Sequence, residues 1–235
     1  MTEQGVRRTW AQRRAEPDRF ALVLTLLVTA YVFSALTSDD WVQVAVALLY
    51  VGALYVAVRS SRVEGRMRIV VRVVPIAAAA LTALAFLVLP RTDAYGVLNA
   101  AVAAILVTAL VVILDRILRR SAVTLQSVFG ALSAYLLIGM IFTAVFGVLA
   151  WLGPEQFFAG GQETSQRALQ YFSYTTLTTL GYGDYTAAQF PGRNIATFEA
   201  LVGQVFLATL VARLVASFSR PRRPDASDTD DPAAE

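Results

Sequence analysis

The chain has 235 residues, of which 57% are hydrophobic and only 16% are charged, and its formal net charge is +3. A soluble domain of this length cannot bury so large a share of apolar side chains, so the composition indicates a membrane protein. The absence of cysteine and histidine excludes disulfides, thiol chemistry and the side chain most often used to bind metals and transfer protons.

Six apolar runs are long enough to cross a bilayer, since a helix needs roughly 20 residues to span about 30 Å of hydrocarbon. The third run contains Pro75, which neighbouring helices in a membrane tolerate. A secretory signal peptide is the alternative for the first run, but no small-residue cleavage site follows Ala35. The predicted spans are residues 20–37, 41–58, 69–89, 96–114, 123–152 and 195–218.

The distribution of basic residues predicts the orientation of these spans. All 20 basic residues are arginines. When residues 1–19 are placed in the cytoplasm and the spans alternate, all but three arginines fall on the cytoplasmic side; the exceptions are Arg91, Arg167 and Arg193. The positive-inside rule therefore predicts a multi-pass protein of the cell (plasma) membrane with both termini in the cytoplasm. The tail, residues 221–235, is rich in Pro, Asp and Ala and is predicted to be disordered.

The segment between the fifth and sixth runs does not resemble an ordinary loop. Residues 164–178 predict a helix of about four turns, too short and too polar to cross a membrane alone, with Thr164 or Ser165 as its cap. The sequence Thr-Thr-Leu-Gly-Tyr-Gly-Asp follows at 178–184. Non-helical backbone at membrane depth is tolerated only where it is buried in protein or lines water.

This heptapeptide resembles the signature of potassium channels, and the flanking runs resemble the two-helix pore module of that family over about residues 121–220. The resemblance implies an all-α membrane protein with six transmembrane helices and a re-entrant pore helix. An extended selectivity filter, residues 179–183, would lie between helices 5 and 6. The alternative, a flexible extracellular turn at 181–183, explains neither the two threonines nor the short helix.

The filter chemistry follows from the way a potassium ion loses its water. Rings of backbone carbonyls replace the hydration shell, so carbonyls on successive residues must face one axis, which an ordinary strand does not allow. Gly181 and Gly183 can adopt the positive φ values that such a backbone needs. The resemblance implies that K⁺, the permeant ion, contacts the carbonyls of Thr179, Leu180, Gly181 and Tyr182. No cofactor is expected. Leu180 stands where Val or Ile is commoner.

Residues beside the filter have predicted supporting roles. Tyr171 and Phe172 occupy the places of a tryptophan pair in many family members, and with Thr178 they are predicted to support the filter. Simple burial against the outer helix is the alternative for the aromatic pair. Four copies of Asp184 would form an acidic ring at the outer mouth, whereas one copy by itself would be an ordinary exposed turn carboxylate.

The sixth run carries further candidates. Glu199 is either a functional carboxyl at membrane depth or a helix-start carboxylate wetted from outside. Gly203 is spaced from Thr179 like the hinge glycine of family inner helices, and close helix packing is the alternative. The resemblance implies that one helical face lines the cavity below the filter, with lipid contact as the alternative; it carries Gln204, Leu207, Val211 and Val215. In the fifth run, Gly139 is one of three glycines that predict close helix packing.

The first four spans, residues 20–120, lack the arginine ladder of a voltage sensor, because residues 96–114 contain no arginine. The sequence therefore resembles bacterial six-span channels without such a sensor. It predicts a homotetramer in the lipid bilayer that conducts K⁺ passively and is not steeply voltage-gated. The alternatives are a weakly selective cation channel and a regulatory subunit with a pore-like domain. An enzyme is not expected, because membrane-depth acids such as Asp115 and Glu199 are isolated, and no nucleic-acid partner is expected.

Overall fold

The computed structural model describes residues 19–36, 40–60, 65–119, 124–153 and 156–218. Within these segments the chain is helical, with one isolated β-bridge and no longer strand. The predicted tail and nearly all of the predicted basic N-terminus lie outside the described residues. The helices are α1 Phe20–Leu36, α2 Asp40–Ser60, α3 Arg66–Val88, α4 Arg91–Leu118, α5 Leu125–Leu152, α6 Gln166–Leu177 and α7 Phe190–Phe218.

Each of the six predicted spans corresponds to a helix. Within the described ranges, five helices are long and apolar enough to cross a membrane: α2, α3, α4, α5 and α7. The first helix, α1, is also apolar but has 17 residues, which at 1.5 Å per residue is about 26 Å. The fold is therefore that of an all-α membrane protein. At 12 residues, α6 is too short to span a bilayer.

Local sequence explains where α5 and α6 begin. Thr124 accepts a hydrogen bond from the Ser127 N–H and Ser127 bonds back to Thr124, which forms a capping box at the start of α5. Ser165, one of the two predicted caps, accepts from the Ala168 N–H at the start of α6. Both caps satisfy N–H groups that have no partner inside the helix.

The helices pack as a group around α4 and α5. The fourth helix packs along α5 and also contacts α2 and α3, while α1 lies against α2 and α5. The short helix α6 rests between α5 and α7 and touches α1. At the other end of α7, the Arg213 guanidinium donates to the Ile117 carbonyl of α4 at 2.6 Å. The segment from α5 to α7 therefore contacts the first four helices along α5, at α6 and near the end of α7.

The fourth helix is longer than the predicted span, but its central part likewise contains no arginine. It includes Arg91 as its first residue and Arg116 in its last turn. The 24 residues between them contain no arginine. Asp115 forms an ion pair with Arg119 at 2.7 Å, and both residues lie at the C-terminal end of the helix.

Candidate functional site

Three polar side chains on one short helix, α6, fix it among its neighbours. The Gln170 amide donates to the Tyr31 carbonyl of α1 at 3.1 Å. The Ser173 and Tyr174 hydroxyls donate to the carbonyls of Gly139 and Leu136 on α5, each at 2.7 Å. A Cβ at Gly139 would lie 2.7 Å from the Tyr174 ring, so glycine allows this close approach and the predicted packing role is confirmed there.

The backbone after α6 turns back on the helix end. The N–H groups of Leu180 and Gly181 both donate to the Thr175 carbonyl, at 2.9 and 3.1 Å. The described peptide bonds are all trans, and in a trans peptide the C=O points opposite to the N–H. The carbonyls of Thr179 and Leu180 therefore both point away from α6. An ion-lining segment requires successive carbonyls on one side, and a regular strand does not provide them.

The backbone conformation of this segment alternates in hand. The φ angle is positive at Thr179 (59°), Gly181 (49°) and Gly183 (80°), and it is not positive at Leu180 or Tyr182. The expectation of positive φ at both glycines is confirmed. Across the described part of the chain, Thr179 is the only non-glycine residue with positive φ. Such a conformation is a genuine outlier for a β-branched residue, and residue type alone did not indicate it.

The inner end of this segment contacts α7. The Gln204 amide donates to the Thr179 hydroxyl at 3.2 Å. One residue earlier, a Cβ at Gly203 would collide with the Leu177 carbonyl oxygen at the end of α6. This contact supports the close-packing interpretation of Gly203, and its role as a hinge stays a prediction.

The remaining members of the predicted cavity face lie further along α7. Leu207, Val211 and Val215 are all exposed in the isolated chain. Together with Gln204 they follow the helix away from the Thr179 hydroxyl at spacings of three or four residues. Cavity lining by this face stays a prediction.

The end of the segment that follows Gly183 is held in place by polar contacts. The Tyr171 hydroxyl donates to Asp184 Oδ2 at 2.9 Å, and this hydrogen bond raises the pKa of Tyr171 above its usual value. The Gln162 amide donates to the Asp184 carbonyl at 2.5 Å. Backbone bonds from Ala159 to Thr186 and from Ala188 to Phe157 then hold the following residues against the preceding loop. Tyr171 thus contacts the residue that follows Gly183 through its hydroxyl, and its role in supporting a filter stays a prediction.

Phe172 and Thr178 have different surroundings. Phe172 is buried on the α5 side, with its ring centroid 5.0 Å from that of Phe146 and close to Phe157 and Phe158. This position favours the alternative of burial against the outer helix for Phe172. Thr178 caps the C-terminal end of α6, and its hydroxyl donates to the Tyr174 carbonyl at 2.7 Å.

Glu199 of α7 is fully buried against α6. Its relative exposure is 0%, so the interpretation as a carboxylate wetted from outside is wrong. Glu199 Oε1 lies 2.5 Å from the Ser173 hydroxyl, which also contacts the Gly139 carbonyl, and Glu199 Oε2 has no partner. Ser173 has a single hydroxyl proton and a carbonyl only accepts. Both contacts are hydrogen bonds when the Glu199 carboxyl carries a proton and donates to Ser173.

The predicted site residues did not include Gln170, Ser173, Tyr174 or the Thr175 carbonyl. The available signal was the polar face of α6 in an otherwise apolar chain. A helix inside a membrane must pair such groups within the protein.

Comparison with known proteins identifies the segment that contains this site. Residues 131–220 match a family model described as "Ion channel". A 92-residue stretch is 30% identical to the voltage-gated potassium channel regulatory subunit KCNG2 of Gallus gallus, and it covers 39% of this chain and 17% of that protein. The chain thus matches well under two thirds of this relative. No solved structure matches the chain. Residues 131–220 are therefore similar to ion channels, and the two matches together support a potassium channel pore domain in this part of the chain.

Proposed function

We propose that this chain is one subunit of a K⁺-selective channel that conducts passively through a homotetrameric pore. The observation that carries the proposal is the backbone of residues 179–183. Its φ values alternate, and the Thr179 and Leu180 carbonyls both point away from α6. A segment of this kind can present successive oxygens to an ion that has lost its water. The proposed K⁺ ligands are the carbonyls of Thr179, Leu180, Gly181 and Tyr182.

The exposed apolar side chains of the single chain support the assembly of several copies around an axis. Leu180 and Tyr182 are 54% and 68% exposed in the single chain. An apolar side chain at a rigid filter needs something to pack against, and further copies of the chain would supply it. Apolar side chains of α7, among them Phe198, Leu201 and Val205, are likewise exposed. One chain contributes one wall of a filter, and four walls surround an ion.

The proposed orientation places both termini in the cytoplasm of a plasma membrane. It rests on the bias of arginines toward one side. Because the chain has no cysteine, single cysteines introduced at residue 5 and residue 160 give a clean test with a membrane-impermeant thiol reagent applied to intact cells. Labelling at 160 and protection at 5 are expected, and the reverse pattern would contradict this orientation.

The function itself is tested by purifying the full chain, reconstituting it in liposomes and measuring K⁺ and Na⁺ flux separately. We expect K⁺ flux far above Na⁺ flux. Gly181→Ala should abolish it, because alanine is strained at positive φ. Gly52→Ala is the matched control, since its nearest neighbour would lie 4.0 Å away. Equal fluxes of the two ions would indicate the weakly selective channel instead.

A regulatory subunit is the second candidate, because the relative from Gallus gallus is described as one. A regulatory subunit would give no flux when reconstituted alone and would alter the current of a co-expressed channel. The homotetramer proposal requires flux from this chain alone. A cross-linking series in mild detergent that ends at four copies would support it, and one that ends at two would not.

A further inference from the structure

A cleft separates α2 and α3 on the arginine-rich side of the protein. In the described chain these two helices make at most marginal contact with each other, and both pack on α4. The space between them has a volume of about 340 Å³. Its walls are mostly apolar, formed by Val51, Leu54 and Val58 of α2 and by Val71 and Pro75 of α3.

Two arginines line the same cleft from opposite walls, Arg59 of α2 and Arg72 of α3. Arg59 donates one hydrogen bond, to the Tyr55 hydroxyl at 3.2 Å. Arg72 has no hydrogen-bond or ion-pair partner in the part of the chain that the structure describes. A guanidinium carries five N–H donors, so most donors of this pair remain available. None of the residues that line the cleft is acidic.

Arg72 lies beyond the first turn of α3. It is the seventh residue of α3, and a rise of 1.5 Å per residue puts it about 9 Å along the helix from Arg66. An unpaired guanidinium displaced toward the hydrocarbon requires an anion or water, because the charge is costly to bury. A negatively charged group bound beside the apolar wall would therefore stabilise the two arginines.

We propose that this cleft binds an anionic glycerophospholipid of the leaflet on the arginine-rich side. The phosphate would accept hydrogen bonds from Arg59 and Arg72, and the start of an acyl chain would lie against the valines and Pro75. A zwitterionic lipid offers less charge complementarity to two guanidiniums. A free phosphate gains nothing from the apolar walls. Basic pockets between membrane helices are a known type of site for anionic lipid headgroups.

The test measures lipid binding to the purified full chain by native mass spectrometry and by thermal shift. Phosphatidylglycerol and phosphatidylcholine with identical chains are compared, with inorganic phosphate as a soluble anion. We expect saturable binding of phosphatidylglycerol that is roughly tenfold weaker or more in Arg59→Gln/Arg72→Gln. Arg91→Gln/Arg167→Gln removes the same charge outside the cleft and should bind as the unaltered chain does. The melting temperature without lipid shows that each variant is folded.

A second variant tests the apolar wall with both arginines kept. Val51→Trp fills the cleft, and it should weaken phosphatidylglycerol binding while phosphate has little effect on any variant. Equal binding of phosphatidylglycerol to the unaltered chain and to the double arginine variant would overturn the proposal. So would equal binding of phosphatidylcholine, unchanged binding in Val51→Trp, or a phosphate effect that matches that of the lipid.

Discussion

Ser173 of α6 and Glu199 of α7 lie 2.5 Å apart, side chain to side chain, in a fully buried position. The same Ser173 hydroxyl reaches the Gly139 carbonyl of α5. One hydroxyl therefore joins α5, α6 and α7. Glu199, Ser173 and the Gly139 carbonyl form a short series of hydrogen-bonded groups. Each of these groups depends on its neighbour to satisfy its hydrogen bonds.

The first prediction concerns the Glu199 side chain. Glu199→Gln keeps a donor for Ser173 and should retain stability and ion selectivity close to those of the unaltered chain. Glu199→Ala leaves the Ser173 oxygen without its donor and opens a cavity, so it should destabilise the protein by about 1–3 kcal/mol. Thermal unfolding in detergent and liposome flux provide the measurement.

Infrared spectroscopy gives a direct check of the Glu199 proton. The carbonyl band of a buried protonated carboxyl should be present in the unaltered chain and absent in Glu199→Gln. A missing band in the unaltered chain would show that Ser173 donates to Glu199 and not to Gly139. Equal stability of the Ala and Gln variants would show that the contact contributes nothing.

The second prediction concerns Tyr171 and Asp184 at the outer mouth. Tyr171→Phe removes only the hydroxyl that bonds Asp184, so the filter end loses a tie while the ring packing against Tyr185 remains. We expect faster loss of K⁺ conduction during sustained recording in planar bilayers. Asp184→Asn should show a smaller effect, and adding it to Tyr171→Phe should cause little further change.

The pH dependence of this contact has a defined sign. Because the hydrogen bond to Asp184 raises the pKa of Tyr171, its contribution is complete below the unperturbed value of about 10. It is lost as the pH rises through the raised value. The difference between the unaltered chain and Tyr171→Phe should therefore persist at neutral pH. A difference that vanished there would contradict the role of this bond.

The third prediction separates packing from hinge motion at Gly203. Gly203→Ala places a methyl group against the Leu177 carbonyl, a backbone atom that does not move aside easily. We expect destabilisation of about 1–3 kcal/mol, measured by thermal unfolding. Gly52→Ala, at an open helical position, should be neutral or stabilising because alanine favours helix. A stable Gly203→Ala variant with altered gating would favour the hinge interpretation.

The fourth prediction tests the cavity face of α7. Single cysteines at Gln204, Leu207, Val211 and Val215 should react with a charged thiol reagent applied from the cytoplasmic side, and the reaction should reduce K⁺ current. Val205 is exposed in the isolated chain but about 100° around the helix from Gln204, so its cysteine should react more slowly. Equal reactivity at all five positions would mean that this face does not line an aqueous cavity.

The fifth prediction concerns voltage. Residues 92–115 of α4 contain no arginine, so the charge that moves in the membrane field is small. One charge across 100 mV yields about 2.3 kcal/mol, and steep gating combines a dozen or more such charges. Current in planar bilayers should therefore vary only shallowly with potential. A steep sigmoidal activation curve would show that another part of the chain carries the sensor.

Several features could be predicted from residue type and order alone. The six apolar runs, the short polar helix and the positive φ at Gly181 and Gly183 depend on local hydropathy, length and the missing Cβ of glycine. The ends of the helices were predicted less accurately. The fourth run was predicted at 96–114, whereas α4 extends over Arg91–Leu118, because backbone hydrogen bonds continue into polar residues that hydropathy excludes.

The contacts of Ser173 with Gly139 and Glu199 depend on tertiary structure. Ser173 lies 34 residues from Gly139 and 26 from Glu199, and no local pattern indicates that their side chains meet. The positive φ of Thr179 is likewise imposed by its surroundings, since the residues after α6 bond back to Thr175 and Gln204 holds the Thr179 hydroxyl. Composition and motif determined that this chain is a membrane protein with a segment similar to that of potassium channels. The packing of α5, α6 and α7 decided which buried polar groups pair, because groups removed from water must find partners on whichever helix lies nearest.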